Sequence, residues 1–275
     1  MKNFKGGADK MLFGAMNFPI RPIFEELESI SELGFDYMEM AMDPTQAHFR
    51  MIQQQREELL RSLERHRMGI ICHLPTFVST ADLTKSIRES SLKETLGSLE
   101  VAADLGALKV VLHPSIIGGL GVFTIEQARK YAMNSLEAVV ERADQLGVVL
   151  CLENMFPRSN SLVEPEDFLE IFKKFSNLKM TLDTGHAKLG SPGDRRALEF
   201  IKNFADRIAH IHANDNLGKE DNHLPIGTGT IDFEKIVTAL KGIGYDGTIT
   251  LEVFSKDRDY LRMSKEKLGA MFETL

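Results

Sequence analysis

Cysteine is scarce: the chain has two in 275 residues, Cys72 and Cys151. So few thiols exclude a disulfide scaffold and point to a reducing compartment. Both lie in strand-like runs and read as buried small hydrophobes. No apolar run approaches the roughly 18 residues of a membrane span. The opening Met-Lys-Asn-Phe-Lys-Gly-Gly has no long apolar core, so neither an anchor nor a secretory leader is expected. A soluble, cytoplasmic protein is the reading. Basic excess is missing too. The net charge is −7 and the pI about 5.7, which argues against a broad basic face for nucleic acid. There is no low-complexity tract, charge block or linker, and no run of arginines or aromatics. No Gly-x-Gly-x-x-Gly follows the first strand-like run, which disfavours an open doubly wound sheet. What is present is apolar: 43% of the residues are hydrophobic, ample for one sizeable core. The length is near the about 250 residues of a single eightfold barrel.

Strand-like and helix-like segments alternate along the whole chain. Met11 to Asn17 predicts a strand. Ile23, Leu27 and Ile30 then mark one helix face, stopped by Gly34. Further strands are predicted at Phe35 to Ala41, Met68 to His73, Leu108 to His113, Val148 to Glu153, Leu178 to Asp183, Arg207 to His212 and Gly247 to Glu252. Between them, helices are predicted over Pro44 to Arg67, Thr84 to Leu105, Thr124 to Leu146, Pro165 to Phe175, Gly193 to Phe204 and Asp232 to Ile243. A last helix starts near Asp257. Helix–Gly–strand punctuation recurs at Gly106, Gly147 and Gly244, and Thr124 reads as an N-cap. Eight strands alternating with eight helical segments imply a parallel sheet closed into one (β/α)8 TIM barrel, a single domain over residues 1–275.

The strands end on chemistry. His73, His113, Glu153, Asp183, His212 and Glu252 each close an apolar run, and in such a barrel those ends meet at one mouth. Glu153, Asp183, His212 and Glu252 come from strands five to eight. Three carboxylates and an imidazole would repel there unless a divalent cation sat between them, with Mn, Mg, Fe, Co and Zn all compatible with N/O ligation. His73 and His113 either bind a second ion beside Glu153 or hydrogen-bond a substrate. A glycine turn is expected after Asp183, and His186, three residues after that acid, faces the same cavity. Asp221-Asn-His223 reads equally as a metal pair or as solvated loop. His48 and His66 read as surface residues, and His210 as a core or supporting residue. Gly227-Thr-Gly229 is a weak phosphate-cradle signal and more simply a turn. Lys188, Lys219, Lys256 and Arg258 are candidate contacts for an anionic substrate.

These motifs carry a resemblance. Cys-Leu-Glu153-Asn-Met, Leu-Asp183-Thr-Gly-His186, His212-Ala-Asn-Asp-Asn and Asp221-Asn-His223-Leu-Pro-Ile-Gly-Thr-Gly-Thr-Ile-Asp are similar to the xylose-isomerase-like barrel superfamily, over nearly the whole chain. That superfamily includes sugar and sugar-phosphate isomerases and epimerases, inosose dehydratases and endonuclease IV. In the epimerase branch the resemblance implies one divalent metal on Glu153, Asp183, His212 and Glu252. Glu153 and Glu252 would then exchange protons with a carbon beside a carbonyl through an enediolate, and His186 would contact the substrate. The implied partner is a small sugar, sugar phosphate or cyclic polyol. In endonuclease IV the nine matching positions hold three zincs and cut DNA at abasic sites, and this chain has all nine. Two departures separate it from that branch. Asn-Met-Phe-Pro-Arg follows Glu153 in place of Asn-Thr-Ala-Gly, and Pro-Ser-Ile-Ile-Gly-Gly follows His113 in place of a Pro-Gly-Ser type of turn. The isomerase or epimerase reading is therefore preferred, with an abasic-site nuclease as the alternative, and an oligomer is compatible with both.

Overall fold

The computed structural model describes residues 11–275; the opening heptapeptide read above lies outside them. Eight parallel strands close into a barrel in sequential order. They are β1 (Leu12–Met16), β2 (Tyr37–Ala41), β3 (Gly69–His73), β4 (Val110–Leu112), β5 (Leu150–Glu153), β6 (Lys179–Asp183), β7 (Ile208–Ala213) and β8 (Thr248–Leu251). β1 pairs with both β2 and β8, so no strand edge is left open. The expected (β/α)8 barrel is the observed fold.

Alternation along each strand sorts side chains into two environments. Met38, Met40, Ile70, Cys72, Val110, Leu150, Leu152, Met180, Leu182, Ile211, Ile249 and Leu251 join one continuous core under the helices. Inside the barrel, Tyr37, Ile71 and Val111 form a small separate apolar plug. Above the plug the interior turns polar: Glu39, Thr181, His210, Thr248 and Thr250 are all buried. A lining so polar is costly unless its groups find partners: Glu39, His210, Thr248 and Thr250 do, while the Thr181 hydroxyl has none.

The helices are α1 (Ile23–Glu32), α2 (Phe49–Gln54), α3 (Arg56–His66), α4 (Lys85–Asp104), α5 (Ile125–Leu146), α6 (Leu169–Lys174), α7 (Thr184–Lys188), α8 (Arg195–Asn203), α9 (Phe233–Gly242) and α10 (Asp259–Thr274). The four glycines read as helix stops, Gly34, Gly106, Gly147 and Gly244, all have left-handed φ between 68° and 74°, the conformation that ends helices at least cost. Four expectations need correction. The long helix over Pro44 to Arg67 is two helices beginning at Phe49, because the residues before them are tied down by loop contacts. Asp43 accepts from Thr76 N at 3.1 Å, and Ala47 N donates to the Asp43 carbonyl. Pro165–Phe168 is a 3₁₀ turn leading into α6, with a Glu164/Asp167 capping box. Thr124 precedes α5, but its hydroxyl donates back to the Leu120 carbonyl at 3.4 Å rather than capping the helix. The glycine turn expected after Asp183 is the short helix α7, with Asp183 as its cap.

Candidate metal centre at the barrel mouth

Neighbouring strands deliver the candidate residues to one place. Glu153 ends β5, Asp183 ends β6, His212 lies in β7 opposite Asp183 and Thr250, and Glu252 follows β8. The Nδ1 atom of His212 lies 3.2 Å from Glu252 Oε1, 3.3 Å from Glu153 Oε1 and 3.9 Å from Asp183 Oδ2. On the other side of Glu153, its Oε2 lies 3.1 Å from His113 Nε2 and 3.5 Å from His73 Nε2. A third group adjoins these two. His186 Nε2 is 3.3 Å and His223 Nε2 3.0 Å from Asp221 Oδ2. His186 Nδ1 also lies 3.2 Å from Glu153 Oε1. All nine residues singled out in the sequence thus converge.

The imidazoles share a hydrogen-bond pattern. His73 Nδ1 donates to the Leu74 carbonyl at 2.8 Å, His186 Nδ1 to the Asn154 carbonyl at 3.0 Å, and His223 Nδ1 to the Glu252 carbonyl at 3.2 Å. His212 Nε2 donates to Glu39 Oε1 at 2.9 Å. In each of these four rings one nitrogen is spoken for and the other faces a carboxylate of the cluster, whereas His113 faces Glu153 through Nε2 and keeps a buried Nδ1 without a hydrogen-bond partner. Both oxygens of Glu153 and Nδ1 of His212 are buried and have no aligned hydrogen-bond partner, although they lie within 3.1–3.5 Å of one another or of neighbouring rings. Close polar atoms that do not hydrogen-bond are what a set of ligands converging on a cation looks like. Candidate ligand atoms of Glu153, Asp183 and His212 lie within 4.8 Å of one another, and so do those of His73, His113 and Glu153. The donor set therefore fits a divalent cation.

Burial and crowding push the two glutamates apart. Burial opposes ionisation of Glu153, but the adjacent His113 and His212 outweigh it and hold the carboxyl well below the usual range. Glu252 goes the other way. Burial, together with the charges of Asp183 and Glu153, raises it to about 8 against the pull of His212 and His223. Burial works against a proton on His212, yet Glu252, Glu39 and Glu153 raise its affinity well above normal. His73 and His113 touch the same carboxylate and shift oppositely. In His113 burial wins, aided by neighbouring His73 and His186, whereas in His73 the attraction to Glu153 and Glu39 prevails over burial.

Several supporting residues were not anticipated as part of the site. Asn154 clamps the backbone of Asp183, accepting from its N–H at 2.8 Å and donating to its carbonyl at 3.0 Å. Asn214 donates to Asp183 Oδ2 at 3.3 Å, and Asn216 to the Gly185 carbonyl at 2.9 Å. Gly185 is required by this contact: a Cβ there would sit 2.0 Å from Asn214 Oδ1. Glu39 is fully buried and joins His212 to His210. Its signal was present as an acid between two methionines in an apolar strand.

The anion-binding candidates resolve differently. The N–H groups of Gly227 and Gly229 donate to Asp215 Oδ2, each at 2.9 Å, so the chain's own carboxylate fills that cradle. Lys188 is held by Asp194 and by the Thr230 carbonyl, and Arg258 by Glu26. Lys219 and Lys256 are exposed. His48 and His66 lie in the helix layer, bonded to Glu94 and Ser31. Both ring nitrogens of His210 are engaged, by Thr248 and Glu39, which makes it the supporting residue expected. Both cysteines are buried and free, as expected. Among the described residues no helix is long and apolar enough to cross a membrane.

Comparison with known proteins agrees with the barrel fold. An uncharacterized protein of Methanocaldococcus jannaschii is 31% identical over 276 residues, spanning 94% of this chain and 92% of its own length. L-ribulose-5-phosphate 3-epimerase UlaE of Escherichia coli is 24% identical over 89% of this chain and 90% of its own. A probable endonuclease 4 of Aquifex aeolicus is 23% identical over 93% and 92%. The crystal structure of a D-tagatose 3-epimerase-like protein superposes with a TM-score of 0.84 at 30% identity, covering 96% of this chain and 97% of that one. The family model described as xylose isomerase-like TIM barrel matches residues 27–272, and the chain belongs to that family.

Proposed function

We propose that this chain is a divalent-metal-dependent epimerase or isomerase of a small sugar, sugar phosphate or cyclic polyol. The observation that carries the reading is the meeting of two buried carboxylates from different strands, Glu153 and Glu252, 3.3 and 3.2 Å from Nδ1 of His212. The likeness to an epimerase-like structure and to a ribulose-phosphate epimerase supports it. Glu153, Asp183, His212 and Glu252 would hold the cation. When bound, such an ion polarises neighbouring carbonyl and hydroxyl oxygens and offsets negative charge developing on them.

The chain's own residues handle the proton. Ionised Glu153 accepts it from the carbon beside a carbonyl. The C–H pair becomes a carbon–carbon double bond, and the carbonyl pair moves onto oxygen, giving an enediolate. Glu252, on the far side of the His212 position, returns one. Return to the opposite face of the same carbon gives the epimer, and return to the neighbouring carbon, with the hydroxyl proton of the first carbon passing to the oxygen of the second, gives the isomer. In the reverse direction the two residues exchange roles, which their placement on either side of His212 permits. Glu153, Asp183 and His212 are fully buried and Glu252 nearly so, and that keeps bulk water from competing for the proton. His186, fixed through Nδ1, is the substrate-contacting candidate.

The test is Glu153→Gln. The variant should fold and lose solvent-deuterium incorporation at the substrate carbon. Incorporation that persists would remove Glu153 from the proton transfer. One observation favours a second reading, an abasic-site phosphodiesterase with a multinuclear zinc site: His73 and His113 gather at Glu153, and His186 and His223 at Asp221. Nicking of abasic duplex DNA by the zinc-loaded protein at low salt would establish it, and intact duplex would eliminate it.

A further inference from the structure

Glu39 lies inside the barrel, below the candidate centre, and nothing in the proposed proton transfer uses it. It is fully buried on β2, and its two oxygens contact two rings of β7: Oε1 lies 2.9 Å from His212 Nε2, and Oε2 lies 2.9 Å from His210 Nε2. An ionised carboxylate only accepts hydrogen bonds, so both rings must donate. The far side of His210 agrees. Its Nδ1 lies 2.7 Å from Thr248 Oγ1, and that oxygen lies 2.8 Å from Lys109 Nζ, a group that only donates. Thr248 therefore accepts from Lys109 and is free to donate to His210 Nδ1, leaving the His210 proton on Nε2. The polarity runs one way, from Lys109 through Thr248 and His210 to Glu39. At Glu39 it meets the proton on His212 Nε2. The nitrogen left on His212 for a cation is Nδ1, which faces Glu153, Asp183 and Glu252.

We infer that Glu39 is a positioning residue: with His210 it fixes the ring and the tautomer of His212, so that Nδ1 rather than Nε2 is offered to a cation. The inference rests on the metal-binding part of the proposed function but not on turnover. Replacing such a supporting carboxylate typically costs 10–100-fold in metal affinity. Glu39→Gln keeps the shape but supplies one acceptor and one donor. The chain from Lys109 directs the acceptor to His210 and leaves an NH₂ against His212, favouring the tautomer that carries its proton on Nδ1.

The experiment uses the full chain and Zn²⁺ alone, with calorimetric affinity and long-range ¹⁵N–¹H correlation of the imidazoles as readouts. In the wild-type zinc-loaded protein, His212 should be protonated at Nε2 and coordinated through Nδ1, a result that needs no variant. Glu39→Gln should bind zinc 10–100-fold more weakly, and Glu39→Asp, still an acceptor only, should recover part of the loss. Coordination of His212 through Nε2 overturns the inference, as does Glu39→Gln binding zinc with unchanged affinity. A protein that shows the Nδ1 coordination but turns over no sugar leaves the inference standing and rejects the epimerase reading.

Discussion

Asp215→Asn is the substitution with the most directly countable consequence. The buried Asp215 carboxylate accepts four backbone N–H groups. Oδ1 takes those of Asn216 at 2.9 Å and Ile231 at 3.1 Å, and Oδ2 takes those of Gly227 and Gly229, each at 2.9 Å. Together they fold the segment between β7 and α9 back on itself, alongside the paired backbones of Asp215 and Leu224. That segment carries Asp221 and His223. Asparagine has the same shape but only one acceptor oxygen, so two of the four N–H groups would face an NH₂. Hydrogen bonds to a charged group contribute about 1.5–3 kcal/mol each, so losing two costs about 3–6 kcal/mol. For a chain of this size, about 3 kcal/mol corresponds to a fall in melting temperature of roughly 6–12 °C. Differential scanning calorimetry measures the fall, and hydrogen exchange locates it, since the Gly227 and Gly229 amides should lose protection first. A melting temperature within a degree or two of wild type, with both amides still protected, would refute the count.

Other consequences follow from the same coordinates. Gly185→Ala drives a methyl group into Asn214, so the chain should fold but lose tenfold or more in activity, measured as kcat/KM; an undiminished value would show that Asn214 need not stay where it is. pH dependence has a definite sign. Glu252 is raised from 4.5 to about 8 in the folded chain, so its contribution is fully present below pH 4.5 and is lost as pH rises towards 8. His223, raised to about 9 from 6.5, adds a loss of the same sign at higher pH. In chelator-treated protein, thermal stability should therefore fall from pH 5 to 9, while added Mn²⁺, which takes the place of those protons, should stabilise more at pH 8 than at pH 5. A metal-induced shift that shrinks with pH would contradict the coupling.

Much of this site was legible because of where charge interrupts apolar runs. Glu153 and Asp183 close their strands, His212 stands one residue before the end of β7 and Glu252 one residue after β8, and once eight strands are counted the closed ring brings these ends together. Periodicity carries no such information across the barrel. Glu39 and His210 are 171 residues apart, and only the three-dimensional ring shows that the acid inside β2 meets two histidines of β7. The same blindness explains the basic residues. Lys188 and Arg258 stand near strand ends, as an anion site would require, but Asp194 and Glu26 reach them from other segments. Gly227-Thr-Gly229 reads alike whether its N–H groups await a phosphate or already hold Asp215. Helix composition likewise hid the break before Phe49, because the Asp43–Thr76 contact that shapes that segment is not local.

The candidate ligands differ in what carries them, and that difference predicts an order of binding. Glu153, Asp183 and His212 are anchored in strands, with Asn154 clamping the Asp183 backbone and Glu39 holding the ring of His212. Ligands held this rigidly need little reorganisation to meet a cation. Asp221 and His223 ride on a long loop, their side chains 24% and 21% exposed, with His223 in the left-handed region at φ 47°. Ordering that pair around an ion costs conformational freedom that the strand-borne set has already lost in folding. Titration with Mn²⁺ or Zn²⁺ should therefore show one tight site, abolished by His212→Ala, before any weaker one that is sensitive to His223→Ala. Were His223→Ala to remove the tightest site instead, the primary cation would belong to the loop, and the pairing of Glu153 with Glu252 would lose its claim to the chemistry.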